Sequence, residues 1–148
     1  MGITIPERIA SARAGTNPEV ICQVTSGWVV MCEMQHLRGY TILLADPLVA
    51  SINDLNRLQQ AEYLSDMALV GDALLEVTGA YRINYGIMGN SDPFLHAHIV
   101  PRYLTEPEKL RTGPPWCYPK KLMDAAVFDL ERDKELMWQI ASAIQKRL

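Results

Sequence analysis

Cysteine is scarce in this sequence of 148 residues and does not occur in the spacings that disulfide or metal scaffolds use. The three cysteines, Cys22, Cys32 and Cys117, are an odd number and contain no Cys-x-x-Cys motif. Small domains that depend on disulfides carry more cysteines, usually in an even number. We therefore exclude a disulfide scaffold and predict a protein of a reducing compartment.

Long apolar runs and an excess of positive charge are also lacking. No stretch approaches the ~18 consecutive apolar residues of a membrane-spanning helix, and residues 1–15 lack the apolar core of a secretory signal. We therefore expect a cytoplasmic protein without a membrane partner. The net charge is −3. Proteins that bind nucleic acid over a broad surface are usually basic, so we expect no nucleic-acid partner.

The patterns that are present predict an α+β fold. Five segments have the composition of strands, namely residues 19–25, 27–34, 39–45, 80–86 and 94–103. The clearest helix covers residues 56–78, with a shorter helix near 6–14 and an amphipathic helix near 131–147. Strands that follow one another through tight turns pair antiparallel. The chain has the length of a single domain, so we expect residues 1–148 to form one antiparallel sheet with the long helix packed on it.

Apolar residues recur every three or four positions in the two longer helices, which predicts the faces that pack on the sheet. In the long helix this face is Tyr63, Met67, Val70, Leu74 and Val77, widened by Leu64, Ala68, Gly71 and Leu75. In the last helix it is Met137, Ile140, Ile144 and Leu148.

Two of the three histidines lie one residue apart in the last strand, in the stretch GNSDPFLHAHIVPRY of residues 89–103. Alternate residues of a strand face the same side. The face that carries the histidines is Phe94, His96, His98, Val100 and Arg102. Two imidazoles and a guanidinium on one face require polar partners, so this face is the candidate site. Arg102 could reach a second phosphate of a substrate or lie solvated at the rim of the strand.

Three interpretations of the histidine pair are open on the residues alone. The imidazoles could have a structural role, satisfied by neighbouring polar groups. They could be two ligands of a zinc ion. The third ligand would then be His36, Cys117 or a carboxylate, although no spacing identifies one and His36 otherwise has the setting of a surface residue. They could also act on a phosphate group, which the preceding loop favours.

The loop before the histidine strand, NYGIMGNS at residues 84–91, has the composition of an anion-binding turn. Gly89 permits unusual backbone angles and the close approach of a ligand. The backbone amides and side chains of Asn90 and Ser91 could donate hydrogen bonds to phosphate oxygens. Asn84, at the end of the preceding strand, would lie beside the histidine strand if the two strands pair as a hairpin. Together these residues predict a phosphate-binding cradle.

The stretch GNSDPFLHAHIVPR resembles the signature of the histidine triad family. In that family His-x-His-x-His is followed by two apolar residues and preceded by a Gly-Gln-Ser or Gly-Gln-Thr turn. On this resemblance His96 is the middle histidine and His98 the last, while Phe94 stands at the first position. The segment LRGYTILLADP is similar to the family's Gly-His-apolar strand, with Tyr40 in place of the histidine. The similarity covers roughly residues 18–103.

The resemblance implies a five-stranded sheet with one long helix, a homodimer, and an activity on small-molecule nucleotides. In the family the middle histidine attacks the α-phosphate of a nucleotide conjugate and forms a nucleotidyl-histidine. Its other ring nitrogen is oriented by the backbone carbonyl at the first triad position, which Phe94 still supplies. His96 would thus be the nucleophile, with His98 and Asn84 contacting the phosphate. No cofactor or metal is required, although Mg²⁺ could accompany a polyphosphate substrate.

Some family members with a shortened triad, in which an apolar residue stands at the first position, also carry a tryptophan-proline segment shortly after the strand. PPWCYP, in the C-terminal extension of residues 104–148, is similar to it. We expect Trp116 and Tyr118 to anchor this extension to the sheet, or else to cover a base. The resemblance also implies a nucleoside pocket under the first three strands, near Cys32 and Glu33. Glu33 would accept a ribose hydroxyl there or remain an exposed strand residue.

The leading hypothesis is therefore a nucleotide hydrolase or transferase that acts through His96. Its substrate would be a conjugate such as a phosphoramidate or a dinucleoside polyphosphate. The alternative is a non-catalytic nucleotide-binding protein, in which Phe94 and Tyr40 mark a decayed triad. A zinc site that uses His96 and His98 is the third hypothesis.

Overall fold

The computed structural model describes residues 3–148, and a sheet of five antiparallel strands lies at its centre. In chain order the strands are β1 (Val20–Val24), β2 (Gly27–Met31), β3 (Thr41–Ala45), β4 (Arg82–Ile87) and β5 (His96–Arg102). Their order across the sheet is β1-β2-β3-β5-β4, and every neighbouring pair is antiparallel. The predicted antiparallel α+β fold is confirmed. The histidine strand β5 lies inside the sheet, with a neighbour on each side.

Five α-helices accompany the sheet in the described part of the chain. They are α1 (Ile5–Ala14), α2 (Arg57–Thr78), α3 (Glu108–Arg111), α4 (Lys120–Asp124) and α5 (Leu130–Gln145). α2 begins where the side chain of Asn56 accepts a hydrogen bond from the amide of Gln59, and it ends at Gly79, whose φ of 72° is left-handed. These are ordinary start and stop signals of a helix. Within residues 3–148, no helix is long and apolar enough to cross a membrane.

One face of the sheet is covered by α2 and α5 and forms the main core. Its fully buried residues include Val29, Met31, Leu43, Ala97 and Ile99 from the strands and Tyr63, Val70, Leu74, Leu136 and Ile140 from the helices. Leu64, Leu75 and Leu148 do not belong to it, contrary to the periodicity, and are 51%, 39% and 67% exposed. Each helix contacts the core along a stripe narrower than its apolar pattern.

The opposite face of the sheet carries the histidines and is covered in two parts. α1 packs against it through a cluster of Ile5, Ile9, Val30 and Leu44. Phe94 packs against this cluster. The C-terminal extension covers the neighbouring part, where the ring of Trp116 lies 5.6 Å from that of His98. The histidines therefore lie between Phe94, which packs on α1, and Trp116 of the extension.

The extension is held to the segment between β2 and β3 by backbone hydrogen bonds as well as by side chains. The amide of Gln35 donates to the carbonyl of Ala126 at 2.6 Å, and the amide of Phe128 donates to the carbonyl of Glu33 at 2.7 Å. The segment that the sequence marked as irregular contains α3 and a 3-10 turn at Pro115–Cys117. This turn is the part of the extension that reaches the histidines.

Candidate active site

β5 sorts its side chains onto the two faces of the sheet. Ala97 and Ile99 are completely buried in the main core, whereas His96 and His98 lie half-buried on the opposite face. The two imidazole rings are 5.1 Å apart between centroids. The strand alternation therefore places both histidines together on the candidate site face, as predicted.

His96 is oriented by the backbone two residues before it. Its Nδ1 lies 2.7 Å from the carbonyl oxygen of Phe94. A carbonyl oxygen only accepts hydrogen bonds, so Nδ1 carries the hydrogen and donates it. In the neutral ring, Nε2 then keeps its lone pair. The contact that the resemblance implied for Phe94 is present, although the Phe94 side chain packs in the α1 cluster.

The loop before β5 forms a cleft together with the two histidines. Gly89 has a φ of 82°, a left-handed conformation that glycine adopts at little cost. Asn90 and Ser91 follow it and are exposed. A cleft of about 370 Å³ is lined by Met34, Met88, Gly89, Asn90, Ser91, His96, His98 and Trp116. The structure thus brings the predicted loop and the predicted histidines to one place.

Tyr40 and Trp116 form a hydrogen-bonded chain that ends at His98. The indole Nε1 of Trp116 lies 3.0 Å from the hydroxyl oxygen of Tyr40. The same oxygen lies 2.7 Å from Nδ1 of His98. Tyr40 is completely buried. The sequence did not predict these hydrogen bonds, because Tyr40 and Trp116 are 76 residues apart and no local motif links them.

The environment of His98 favours the neutral imidazole. Burial, followed by the charge of the neighbouring His96, lowers the pKa of His98 to about 4. Burial penalises the charged form of a histidine because it removes water from the ring. His98 is therefore uncharged near neutral pH.

Arg102 is buried and hydrogen-bonded inside the protein, which contradicts both expectations for it, a phosphate contact and a solvated place at the rim of the strand. The residue is 2% exposed, and its Nη2 pairs with the carboxylate of Glu106 at 2.9 Å. Its Nη1 donates to Oδ1 of Asn84 and to the carbonyl of Gly113, both at 2.8 Å. Nη2 also donates to the carbonyl of Leu110 at 3.0 Å, and Nε donates to Glu106. Every N–H of the guanidinium is used inside the protein.

The carboxylate of Glu106 completes this buried network. It also accepts hydrogen bonds from the hydroxyl of Tyr118 and the amide of Tyr103. Burial by itself raises the pKa of a carboxyl group, but the hydrogen bonds, led by that from Arg102, outweigh burial and hold the pKa of Glu106 below its ordinary value. The network anchors the extension to β5, which is the role expected of Tyr118.

Asn84 lies beside the histidine strand, as predicted, opposite Val100 of β5, and it is also part of the Arg102 network. Its side-chain oxygen accepts from Arg102. The β4 residue opposite His98 is Gly86. An added Cβ at Gly86 would lie 2.9 Å from the ring of Trp116. Trp116 therefore packs on the bare backbone of β4, beside His98.

The nucleoside pocket implied near Cys32 and Glu33 does not form around these two residues together. Cys32 is 5% exposed and packs with Tyr40, and burial raises the pKa of its thiol to about 12. Glu33 is exposed and lines a separate cleft with Arg8 and Phe128. Two adjacent residues thus lie in different environments, and Cys32 is covered.

His36 is not the surface residue that the sequence predicted. It is half-buried, with its ring 4.9 Å from that of Tyr118. Its Nε2 lies 3.0 Å from the carbonyl oxygen of Pro115 and donates to it. His36 therefore supports the turn that carries Trp116.

A zinc site at the histidine pair would lack a third protein ligand. Among residues 3–148, no group of three or more His, Cys, Asp or Glu side chains stands in a position to hold a metal ion. His36 is engaged with the extension, and Cys117 is exposed on it. A metal at His96 and His98 would have to take its other ligands from water or substrate.

Solved structures of histidine triad proteins have the same fold as this chain. A histidine triad protein from Sinorhizobium meliloti superposes with a TM-score of 0.68 at 24% identity, covering 87% of this chain and 88% of that one. A zinc-bound histidine triad family protein from Mycobacterium smegmatis superposes with a TM-score of 0.66 at 16% identity, covering 97% of this chain and 99% of that one. Diadenosine triphosphate hydrolase from Plasmodium falciparum superposes with a TM-score of 0.59 at 15% identity, covering 88% of this chain and 78% of that one.

The chain thus has the fold of the histidine triad proteins, as the sequence signature predicted. No protein-family model and no curated protein sequence matches it.

Proposed function

We propose that this protein is a nucleotide hydrolase or transferase that attacks the α-phosphate of a nucleotide conjugate through His96. The observation that carries the proposal is the hydrogen bond from Nδ1 of His96 to the carbonyl of Phe94, in a ring that also lines the cleft with the loop of residues 89–91. It orients one nitrogen and leaves the other as a nucleophile. The fold supports the same class, since one protein that shares it is named a diadenosine triphosphate hydrolase.

In the first step Nε2 of His96 forms a bond to the α-phosphorus, and the bond from phosphorus to the leaving group breaks. The leaving group departs with that electron pair and takes up one proton. A neutral imidazole suits this step because a phosphate repels anionic nucleophiles, and the Phe94 carbonyl stabilises the hydrogen on Nδ1 as positive charge develops on the ring.

In the second step water attacks the phosphorus of the nucleotidyl-His96 intermediate. The phosphorus–nitrogen bond breaks, its electron pair returns to Nε2, and the water releases one proton. The sum is one conjugate and one water giving a nucleoside monophosphate and the protonated leaving group. His98 and the amides near Asn90 and Ser91 hold the phosphate oxygens on which charge builds. An alcohol or a phosphate in place of water makes the same step a transfer.

The test is release of AMP in EDTA from an adenosine phosphoramidate and from a dinucleoside polyphosphate. Wild type and His96→Ala are compared, with His36→Gln as the control histidine variant, whose amide can still donate to the Pro115 carbonyl. We expect release by wild type and by His36→Gln, and a loss of at least about 10³-fold in His96→Ala, as for other removed nucleophiles. Rapid quenching of wild type should yield protein heavier by one nucleotidyl group.

The competing functions give different results in the same assay. AMP binding without release from either substrate would replace the enzyme by a nucleotide-binding protein. Release that EDTA abolishes and zinc restores would point to the metal site. Undiminished release by His96→Ala would remove His96 from the reaction.

We also propose that two copies of the chain pair along the open edge of β4 and the outer side of α2. β4 is an edge strand, and edge strands are usually covered or protected. The exposed apolar residues Tyr81, Tyr85, Leu64 and Leu75 lie along this edge and helix, and Tyr85 reaches over Gly71 of α2. Light scattering should give twice the 16.6 kDa of one chain. A value of one chain at micromolar concentration would contradict the pairing.

A further inference from the structure

The hydroxyl of Tyr40 lies between an indole N–H and an imidazole nitrogen in a part of the site closed to solvent. Its oxygen is 3.0 Å from Nε1 of Trp116 and 2.7 Å from Nδ1 of His98. Tyr40 is 0% exposed. Both distances are those of ordinary hydrogen bonds.

The direction of the two hydrogen bonds, from Trp116 to Tyr40 and between Tyr40 and His98, follows from which atoms can donate and which can accept. An indole N–H only donates, so the Tyr40 oxygen accepts from Trp116. Burial raises the pKa of Tyr40, so the phenol keeps its proton. A buried hydroxyl proton requires an acceptor, and Nδ1 of His98 is the hydrogen-bond partner that the described residues offer it. The thiol of Cys32, which packs in the same cluster, is a weaker acceptor.

The direction of these bonds determines which nitrogen of His98 carries the hydrogen. His98 is uncharged near neutral pH, because burial and the charge of His96 lower its pKa to about 4. A neutral imidazole whose Nδ1 accepts has its hydrogen on Nε2. His96 has the opposite arrangement, since its Nδ1 donates to the carbonyl of Phe94. The two adjacent rings thus offer the cleft complementary groups, a lone pair on His96 and an N–H on His98.

We propose that Tyr40, held by the indole of Trp116, is a positioning residue that fixes His98 as an Nε2–H donor to the phosphate in the cleft. This inference rests on the proposed function, because it assigns the donor for the phosphate that His96 attacks. It also assigns a role to the C-terminal extension. The extension supplies Trp116, whose turn is held by the Arg102 network and by His36.

Nitrogen NMR of the histidine side chains tests the assignment without turnover. The chain has three histidines, so each ring can be assigned in protein labelled with ¹⁵N-histidine. In wild type we expect His98 to carry its hydrogen on Nε2, with Nδ1 shifted as a hydrogen-bonded acceptor, and His96 to carry its hydrogen on Nδ1. Tyr40→Phe should move the Nδ1 resonance of His98 toward that of a nitrogen without a partner.

Tyr63→Phe is the matched control. Tyr63 is also completely buried, and its hydroxyl donates to the carbonyl of Leu43 at 2.7 Å on the helix-covered face. It should leave the His98 resonances and turnover unchanged. In Tyr40→Phe we expect kcat to fall about tenfold, the net effect of one hydrogen bond, with KM changed less than about threefold.

Trp116→Phe provides a second variant that does not depend on the fold tolerating a change at Tyr40. Trp116 is 37% exposed, and its loss should shift the same Nδ1 resonance by a smaller amount. The proposal is overturned if His98 of wild type carries its hydrogen on Nδ1, or if Tyr40→Phe changes neither that resonance nor kcat. Absence of turnover in wild type would remove the proposed function, while the NMR result would still decide the contact between Tyr40 and His98.

Discussion

On the face of the sheet covered by α2 and α5, strand residues such as Ala97 and Ile99 belong to the main hydrophobic core and are completely buried. On the other face, the intervening residues of the same strand meet polar groups: His96 meets a backbone carbonyl, His98 meets a tyrosine hydroxyl, and Arg102 meets a carboxylate. Apolar contacts have no preferred direction. Hydrogen bonds have a preferred direction. The histidine face therefore fixes the orientations of its polar side chains, whereas the helix-covered face only has to fill its volume.

The two faces therefore differ in what a substitution should do. On the helix-covered face a smaller side chain leaves a cavity and reduces stability. On the histidine face the loss of one partner leaves a buried polar group without its hydrogen bond. The variants below separate these two effects, from the largest expected change to the smallest.

The strongest test of the histidine face is Arg102→Met. It leaves the carboxylate of Glu106, which is 9% exposed, without its cation. We expect the free energy of unfolding to fall by about 3–5 kcal/mol, as when one partner of a buried ion pair is removed. Urea unfolding measures the loss. In the double variant Arg102→Met with Glu106→Leu, no buried charge remains, but Asn84, Gly113 and Tyr118 lose their partners, so only part of the stability should return; a double variant less stable than the single one would contradict this account.

Ile99→Ala is the corresponding test of the helix-covered face. Ile99 is 0% exposed, so the substitution should cost about 2–4 kcal/mol of unfolding free energy through lost burial and a cavity. Turnover at a temperature where the variant is folded should stay near that of wild type. Leu104→Ala, at a residue 68% exposed, is the control and should change stability by less than about 0.5 kcal/mol. A large loss of turnover in folded Ile99→Ala would show that the two faces are coupled.

Acid titration distinguishes the two faces of the sheet because one of them carries the half-buried imidazole of His98, whose pKa is lowered. The pKa of His98 is about 4 in the folded protein and ~6.5 in an unfolded chain. Between these values the unfolded chain binds a proton that the folded chain does not, so stability is complete above ~6.5 and falls as the pH is lowered toward 4. Carboxyl groups with a lowered pKa, such as Glu106, also reduce the stability of the folded protein when they become protonated, but nearer pH 4.

Unfolding in urea at several pH values between 5 and 6.5 measures this slope. His98→Gln should make the slope shallower, since it removes the titrating group. An unchanged slope in His98→Gln would mean that groups other than His98 cause the loss of stability in acid.

The smallest expected effect is that of Gly86→Ala. The added Cβ would lie 2.9 Å from the ring of Trp116, so the indole has to move away from Tyr40. We expect turnover to fall roughly threefold, a fraction of one hydrogen bond, with little change in the midpoint of thermal unfolding. Gly113→Ala, where the nearest atom is 3.7 Å from the added Cβ, should change neither. Equal effects of the two variants would contradict the contact between Trp116 and the site.

Local signals in the sequence were sufficient for the five strands, for the three longer helices and for half of the site. The ends of α2 were predictable because Asn56 and Gly79 act through bonds within a few residues. The pairing of His96 with His98, and the bond from His96 to Phe94, were predictable because a strand alternates and the partner is two residues away. The loop at Gly89 was predictable because its glycine has the left-handed backbone that such a turn uses.

The misjudged residues depend on how a segment outside their own helix or strand folds against them. Leu64 is exposed although its periodicity suits a core, because the sheet contacts α2 along a narrower stripe. Arg102 was expected at a phosphate or in solvent, and it is buried because residues 106–113 fold back over it. Cys32 was expected in a pocket and is covered by the cluster around Tyr40.

The sequence by itself determined the strands, the three longer helices, the histidine pair and the loop before it, since these follow from periodicity and from bonds between near neighbours. Only the tertiary structure decided which partner each polar side chain has. Tyr40 reaches His98 across the pairing of β3 with β5, and Trp116 reaches Tyr40 through an extension folded back over the sheet. Such contacts depend on the position of a whole segment, which no local pattern of residues encodes.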